Sequence, residues 1–214
     1  MFDNYDNLAE LVEKLRQLLA QDGLGLGDEQ VLQLQRHVDL VREWNRVVGV
    51  VSTREVEHLW ERHVADSLSL AVVVGRLRFS SGHLVDVGSG GGFPAIPVKI
   101  VLPRLRLTLV ERSEKKVGFL RKIVGALALA DVNVLAGEFS QVRADVHPDV
   151  FTARAVESPR RLAVQIAKRL DGRSVFLSQS GVTFEKEYSV ERVMDGWTDA
   201  GLRRGSLDLV RRRE

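Results

Sequence analysis

Val85-Asp86-Val87-Gly88-Ser89-Gly90-Gly91-Gly92-Phe93-Pro94 is the stretch on which the fold of this chain turns. Leu84 to Val87 reads as a short apolar strand. The glycines that follow let the backbone turn tightly and let a ligand approach the main chain. Phe93 to Val101 then reads as a helix with its prolines in the first turn. Working outward, Leu105 to Val110 is a second strand ending at Glu111, Lys115 to Leu129 a helix, and Val132 to Leu135 a third strand. Val150 to Ala153, Pro159 to Leu170 and Ser174 to Ser178 continue as strand, helix and strand. Gln179 to Phe184 is a loop, Glu187 to Gly196 is ambiguous between states, and Leu207 to Val210 reads as a final edge strand. Strand and helix in alternation indicate a parallel sheet with helices on its faces. The loop is not a dinucleotide fingerprint, because Phe93 stands where GxGxxG needs its third small residue and Pro94 follows it. Nor is it a P-loop, since no GK[ST] follows.

Before residue 79 the period is helical. Leu8, Leu11, Val12, Leu15, Leu18 and Leu19 recur at helical spacing up to the break Gly23-Leu24-Gly25-Leu26-Gly27. Asp28 is placed to cap a second helix, with Val31, Leu34, Val38 and Val41 on one stripe. A third helix runs from Thr53 or Arg54 to Val74, and Ser52 and Glu55 are spaced for a capping box. The chain thus divides into a helical extension, 1–78, and an α/β domain, 79–214.

Composition narrows the class. The 214 residues are 44% hydrophobic and 28% charged, which excludes fibrous, collagenous and wholly disordered chains. With no cysteine there is no disulfide, thiolate metal site or cysteine nucleophile, and no metal is expected. The first residues, MFDNYDNLAE, are acidic and lack an apolar signal core, and Leu68 to Val74 is too short to span a bilayer, so a cytoplasmic protein without a membrane is expected. The net charge is only +2, but 24 of the 31 basic residues are arginines. Arginine suits phosphates and stacked bases, and is equally what a GC-rich genome encodes.

The spacing of Asp86, Gly88, Gly90 and Gly92 looks like the S-adenosylmethionine loop of Rossmann-type methyltransferases. Glu111, 25 residues beyond Asp86 at the end of the next strand, is placed to accept both ribose hydroxyls of an adenosine moiety. Asp86 is placed to meet the cofactor's cationic amino-acid end, directly or through water. The competing account is a structural glycine turn beside a solvent-facing carboxylate.

Nearly the whole chain resembles the RsmG (GidB) family, small-subunit ribosomal RNA methyltransferases that modify N7 of a guanine. The resemblance is carried by Arg42-Glu43-Trp44-Asn45, by His63-Val64-Ala65-Asp66-Ser67-Leu68, and by the glycine loop with its distinctive Phe93-Pro94-Ala95-Ile96-Pro97. Glu111-Arg112-Ser113-Glu114-Lys115-Lys116, Phe119-Leu120-Arg121 and Ala153-Arg154-Ala155-Val156 complete it. It implies a Rossmann-like α/β methyltransferase fold with an N-terminal helical extension, acting as a monomer on small-subunit ribosomal RNA or the small subunit. S-adenosylmethionine is the implied cofactor and S-adenosylhomocysteine the product. Implied cofactor residues are Asp86, Gly88, Ser89, Gly90, Gly92, Phe93, Glu111 and Arg112. His63 and Asp66, three apart on one helix side, either close that pocket or pack helix to sheet. Arg154 is the candidate for orienting the base, or else a salt bridge steadying the sheet. Lys115, Lys116, Arg121 and Arg160 are candidates for RNA phosphates, with Lys122 and Arg161 beside them and Arg203-Arg204 and the Arg211 tail further off. Guanine N7 already carries a free lone pair, so in-line positioning suffices and no general base is required.

Three departures from the family pattern are expected to lie on the substrate face. Gly49-Val50-Val51 stands for Asn-Leu-Thr, Glu138 for an arginine, and Gln179-Ser180-Gly181 where the family has a lysine before glycine. They leave two alternatives to the family reaction: a divergent methyltransferase acting on another RNA or a small molecule, and a non-catalytic RNA- or ribosome-binding relative.

Overall fold

The computed structural model describes residues 5–141, 147–155, 158–179, 184–193, 197, 200–202 and 206–213. Val156, Ser180, Gly181, Arg203 and Arg204 lie outside the described residues. Helix α1 (Tyr5–Gln21) buries Leu15 and Leu19 completely, as its spacing requires. Helix α2 (Asp28–Val48) is capped by Gly27 rather than Asp28: the Gly27 N–H donates to Gln30 Oε1 at 2.9 Å. Asp28 is instead the first helical residue, where its charge complements the positive end of the helix. Gly49, at φ 64°, closes α2 by donating its N–H to the Asn45 carbonyl.

The continuous helix expected from about residue 53 to 74 is three pieces. A 3-10 turn (Val56–His58) and a π turn (Trp60–Val64) precede α3 (Ala65–Arg76). Glu55 accepts the Ser52 hydroxyl at 2.9 Å and its N–H at 3.4 Å, which closes the turn before them. The extra residue in a π turn shifts the register of the side chains on either side, and His63 lies within it.

The sheet begins at β1 (His83–Val87) and continues through β2 (Arg106–Glu111), β3 (Val132–Ala136), β4 (Val150–Ala153) and β5 (Val175–Ser178), all in parallel pairs. Helices α4 (Ala95–Val101), α5 (Glu114–Ala126) and α6 (Pro159–Ala167) lie between these strands in the chain. Two antiparallel strands, β6 (Tyr188–Arg192) and β7 (Asp208–Arg212), complete the order β3-β2-β1-β4-β5-β7-β6. The last strand is therefore not the edge. Its Asp208, Leu209 and Val210 are buried between β5 and β6, while β6, from the ambiguous stretch, is half open to solvent and takes the edge. Helix α4 starts at Ala95, two residues later than its sequence suggests, because Gly92 and Phe93 are spent turning the chain into a buried slot.

Alternation along the strands separates two cores. Leu84, Leu107, Leu109 and Leu177 face one cluster that also contains Leu15, Val38, Leu68, Ile96 and Leu120 from the helices. Val85, Val110, Phe151 and Phe176 face the other, with Leu162 and Ile166 of α6. The helical front and α4 and α5 thus share one core on a single sheet face. Strand order reverses between β1 and β4, and in open α/β sheets ligands bind at such a reversal, beyond the carboxyl ends of the strands.

Candidate functional site

The glycine loop leaves β1 at that reversal. Gly88 and Ser89 both donate N–H to the Val110 carbonyl, at 2.8 and 3.2 Å, so the loop is tied to β2 as it starts. Gly88, Gly90 and Gly92 have φ of 78°, 52° and 85°, in the left-handed region that favours glycine. At Gly92 space is lacking as well, since a Cβ would lie 2.5 Å from Ile96 Cδ1. Buried Glu111 closes the turn. Its Oε2 accepts the Gly90 N–H at 3.0 Å and its Oε1 the Ser113 N–H at 2.9 Å. Each carboxylate oxygen has a second lone pair to offer a further donor.

Beside Glu111 opens a cleft of about 350 Å³, with Gly88, Arg112, Lys116, Glu138 and Arg161 among its walls. Glu138 stands between two arginines, 3.7 Å from Arg112 Nη1 and 3.9 Å from Arg161 Nη2. Glu138 and Lys116 were expected on a substrate face, and the structure puts both on the wall that Glu111 shares. Lys115, Arg121 and Arg160 are exposed and do not line the cleft.

On the opposite sheet face the buried polar groups converge. Asp66 Oδ2 accepts from Gln179 Nε2 at 2.8 Å and lies 3.4 Å from Arg154 Nη1, while Arg154 Nη2 donates to the Arg62 carbonyl at 3.0 Å. Asp66 and Arg154 therefore join α3 and the turn before it to the ends of β4 and β5. Asp86 is 1% exposed and its Oδ2 has no hydrogen-bond partner among the described residues. Burial pushes its pKa up to about 7, with the Glu111 charge adding to the rise and the Ser89 hydroxyl and Arg154 opposing it.

Phe93 is held between two imidazoles. His37 stacks on it with centroids 4.4 Å apart, and His63 lies tilted at 5.0 Å. Burial lowers both histidines to about 4. At neutral pH His63 is therefore uncharged, and its 3.7 Å approach to Glu55 is not an ion pair. His37 Nε2 lies 2.8 Å from the Gly91 carbonyl. A carbonyl only accepts, so the one proton of neutral His37 sits on Nε2. Sequence reasoning passed over His37, although it falls three residues after Leu34 on the buried stripe of α2, where a polar residue stands out.

A sheet in this order, with a glycine loop after β1 and a buried acid ending β2, has the Rossmann-like fold of S-adenosylmethionine-dependent methyltransferases. The SAH-bound methyltransferase PaMTH1 of Podospora anserina superposes with a TM-score of 0.59 at 10% identity, over 100% of this chain and 98% of that one. MtNAS in complex with S-adenosylmethionine gives 0.62 at 17% identity, over 99% and 81%. The chain belongs to the rRNA small subunit methyltransferase G (GidB) family, which it matches over residues 30–194. Ribosomal RNA small subunit methyltransferase G of Leuconostoc citreum is 31% identical over 82% of this chain and 75% of its own length. That of Ligilactobacillus salivarius is 39% identical over 67% and 62%.

Proposed function

We propose that this chain transfers a methyl group from S-adenosylmethionine to guanine N7 in small-subunit ribosomal RNA. The observation that carries the reading is the pairing of a glycine loop closed by Glu111 with a buried Asp86 oxygen that has no hydrogen-bond partner among the described residues. S-adenosylmethionine presents ribose hydroxyls and a cationic amino-acid end, the groups these two carboxylates lack. In this reading Gly88, Ser89, Gly90 and Gly92 give the cofactor its backbone cradle, and Glu111 takes the ribose hydroxyls. Arg112 flanks the adenosine end, Phe93 forms the floor, and Asp86 faces the ammonium group. His63 and Asp66 wall the pocket.

The bound cofactor supplies an electrophilic methyl on a sulfonium. The chain's own work is placement. Arg154, pinned by Asp66 and the Arg62 carbonyl, is held rigidly enough to orient the incoming base. N7 has no proton to lose, in keeping with two nearby imidazoles committed to packing rather than proton transfer. Lys115, Lys116, Arg121 and Arg160 contact RNA phosphates, which gives position and salt-dependent affinity rather than base choice. The protein works as a cytoplasmic monomer; no described helix is long and apolar enough to cross a membrane.

Calorimetric titration with S-adenosylmethionine and S-adenosylhomocysteine tests the site, with the Asp86→Ala, Glu111→Ala double variant alongside. Saturable binding lost in the variant is expected. Labelled methyl transfer to small subunits lacking the N7 modification tests the reaction. Cofactor binding without transfer to the subunit or its free RNA would refute the substrate assignment, and no binding by folded wild type would refute the site.

A further inference from the structure

His37 is fully buried on α2, yet only one of its ring nitrogens is bonded: Nε2 donates to the Gly91 carbonyl, and Nδ1 has no partner among the described residues. A buried polar group that is half satisfied is costly, and an apolar residue would fill this point of the stripe at lower cost. What His37 does that an apolar residue cannot is hold the glycine loop. Its ring stacks on Phe93, immediately after the loop. Its Nε2 also lies 3.3 Å from where a Cβ on Gly92 would be. The neighbouring side of the loop is covered by the same layer, since Val50, just past the end of α2, lies 3.2 Å from the Cβ position of Gly91.

Glycines at positive φ form a close-approach surface, but they are also the residues with the most freedom to leave it. Backbone groups that must be aimed at a ligand bind it better when their conformation is fixed beforehand. We infer that His37 is a positioning residue for the cofactor, through which helix α2 fixes the glycine loop in its binding conformation by the Nε2–H bond to Gly91 and the stack on Phe93. The inference rests on the loop being the cofactor site, and it adds that the N-terminal helical layer sets cofactor affinity.

The test is the dissociation constant for S-adenosylhomocysteine, with unfolding temperature measured on the same samples. Four proteins are compared: wild type, His37→Phe, His37→Gln and Val41→Ala. Phenylalanine keeps the stack and removes the donor, and glutamine carries an amide N–H to the distance of Nε2. Val41→Ala opens a cavity on the same buried stripe, one helical turn beyond His37, and leaves the Nε2 bond and the stack in place. Binding is expected to weaken about tenfold or more in His37→Phe, and to stay within about threefold of wild type in His37→Gln. Val41→Ala is expected to melt lower and bind within about twofold. Wild-type affinity in folded His37→Phe overturns the inference and leaves the cofactor site standing. Should His37→Phe fail to fold, His37→Gln and Val41→Ala decide: affinity that falls with stability in both, alike, also overturns it. Wild type that binds no cofactor overturns the site reading and this inference together.

Discussion

Asp86→Asn is expected to make the protein more stable and less able to bind its cofactor, with a pH dependence that identifies the cause. The buried carboxyl titrates at about 7 instead of its ordinary 3.8. Between those values the folded state keeps a proton that the unfolded chain releases, so stability falls as pH rises through the window. Complete ionisation costs the folded protein roughly 4 kcal/mol, of which about 1–2 kcal/mol is already lost at pH 5. Asparagine has nearly the same shape and no charge. The advantage of Asp86→Asn over wild type should therefore grow by roughly 2–3 kcal/mol between pH 5 and pH 8. Any fixed effect of the new amide drops out of that difference. The charged groups that face Asp86, Glu111 and Arg154, are the same in both proteins. Urea unfolding at the two pH values, without cofactor, measures it. An advantage equal at both values would mean that the carboxyl is not buried as described. Calorimetry on the same variant should show cofactor affinity falling at least tenfold, because the countercharge for the ammonium group is gone. Stability gained with binding lost is the signature of a charge kept for a ligand.

The two imidazoles act in the opposite sense. His37 and His63 titrate at about 4 against an ordinary 6.5, so their contribution is complete above pH 6.5 and is lost as pH falls toward 4, by roughly 3 kcal/mol each. Stability measured from pH 7 to 4 should fall less steeply in His37→Gln than in wild type, and parallel curves would contradict the burial of His37. Gly92→Ala forces an L side chain to φ 85° against Ile96 and should cost about 1–3 kcal/mol in urea unfolding, together with cofactor binding. Gly118→Ala, in open space on α5, should instead gain about 0.5–1 kcal/mol. If both alanines behave alike, the loop conformation is not the constrained one described. The triple variant Lys115→Ala, Arg121→Ala, Arg160→Ala should weaken small-subunit binding and flatten its logarithmic salt dependence by about 0.7–0.9 per phosphate contact removed. Its cofactor affinity should be unchanged, and an unchanged salt slope would remove these residues from the RNA surface.

The five parallel strands were legible because each announces itself locally, whereas β6 came from a stretch ambiguous between states. Leu84 to Val87 running into glycines, and Leu105 to Val110 ending at Glu111, need nothing from the rest of the chain to be read. The position of β7 was not legible. Its sequence says strand, but its place between β5 and β6 is set by pairing with segments more than fifteen residues away. The break at Trp60–Val64 was hidden for a similar reason. A π turn has no composition of its own, and there the apolar spacing runs on while the hydrogen-bond register changes. At the site, Asp86, Glu111 and the glycines follow from spacing along one βαβ unit. His37 does not, because its partner lies 54 residues further on and only the packing of α2 against the loop brings them together.

That packing also changes what the family departures mean. Val50, from the first departure, covers Gly91, so it packs against the glycine loop. Glu138, from the second departure, stands in the cleft beside Glu111 with an arginine on either side. Pairs this long and this exposed add little stability, but they set a carboxylate among Arg112, Lys116 and Arg161 on the cleft wall. In the proposed reading, a residue at this wall bears on how tightly the cofactor is held and leaves the choice of base to groups nearer the methyl. Gln179, from the third departure, is turned inward to Asp66, the carboxylate that also steadies Arg154. The position of the family's lysine itself, Ser180, lies outside the described residues. Gln179 is neutral, so its contact adds no positive charge beside Asp66, and in the proposed reading that carboxylate steadies the guanidinium that orients the base. In the proposed reaction, which needs placement above all, Val50, Glu138 and Gln179 bear on the placement of cofactor and guanidinium rather than on proton transfer.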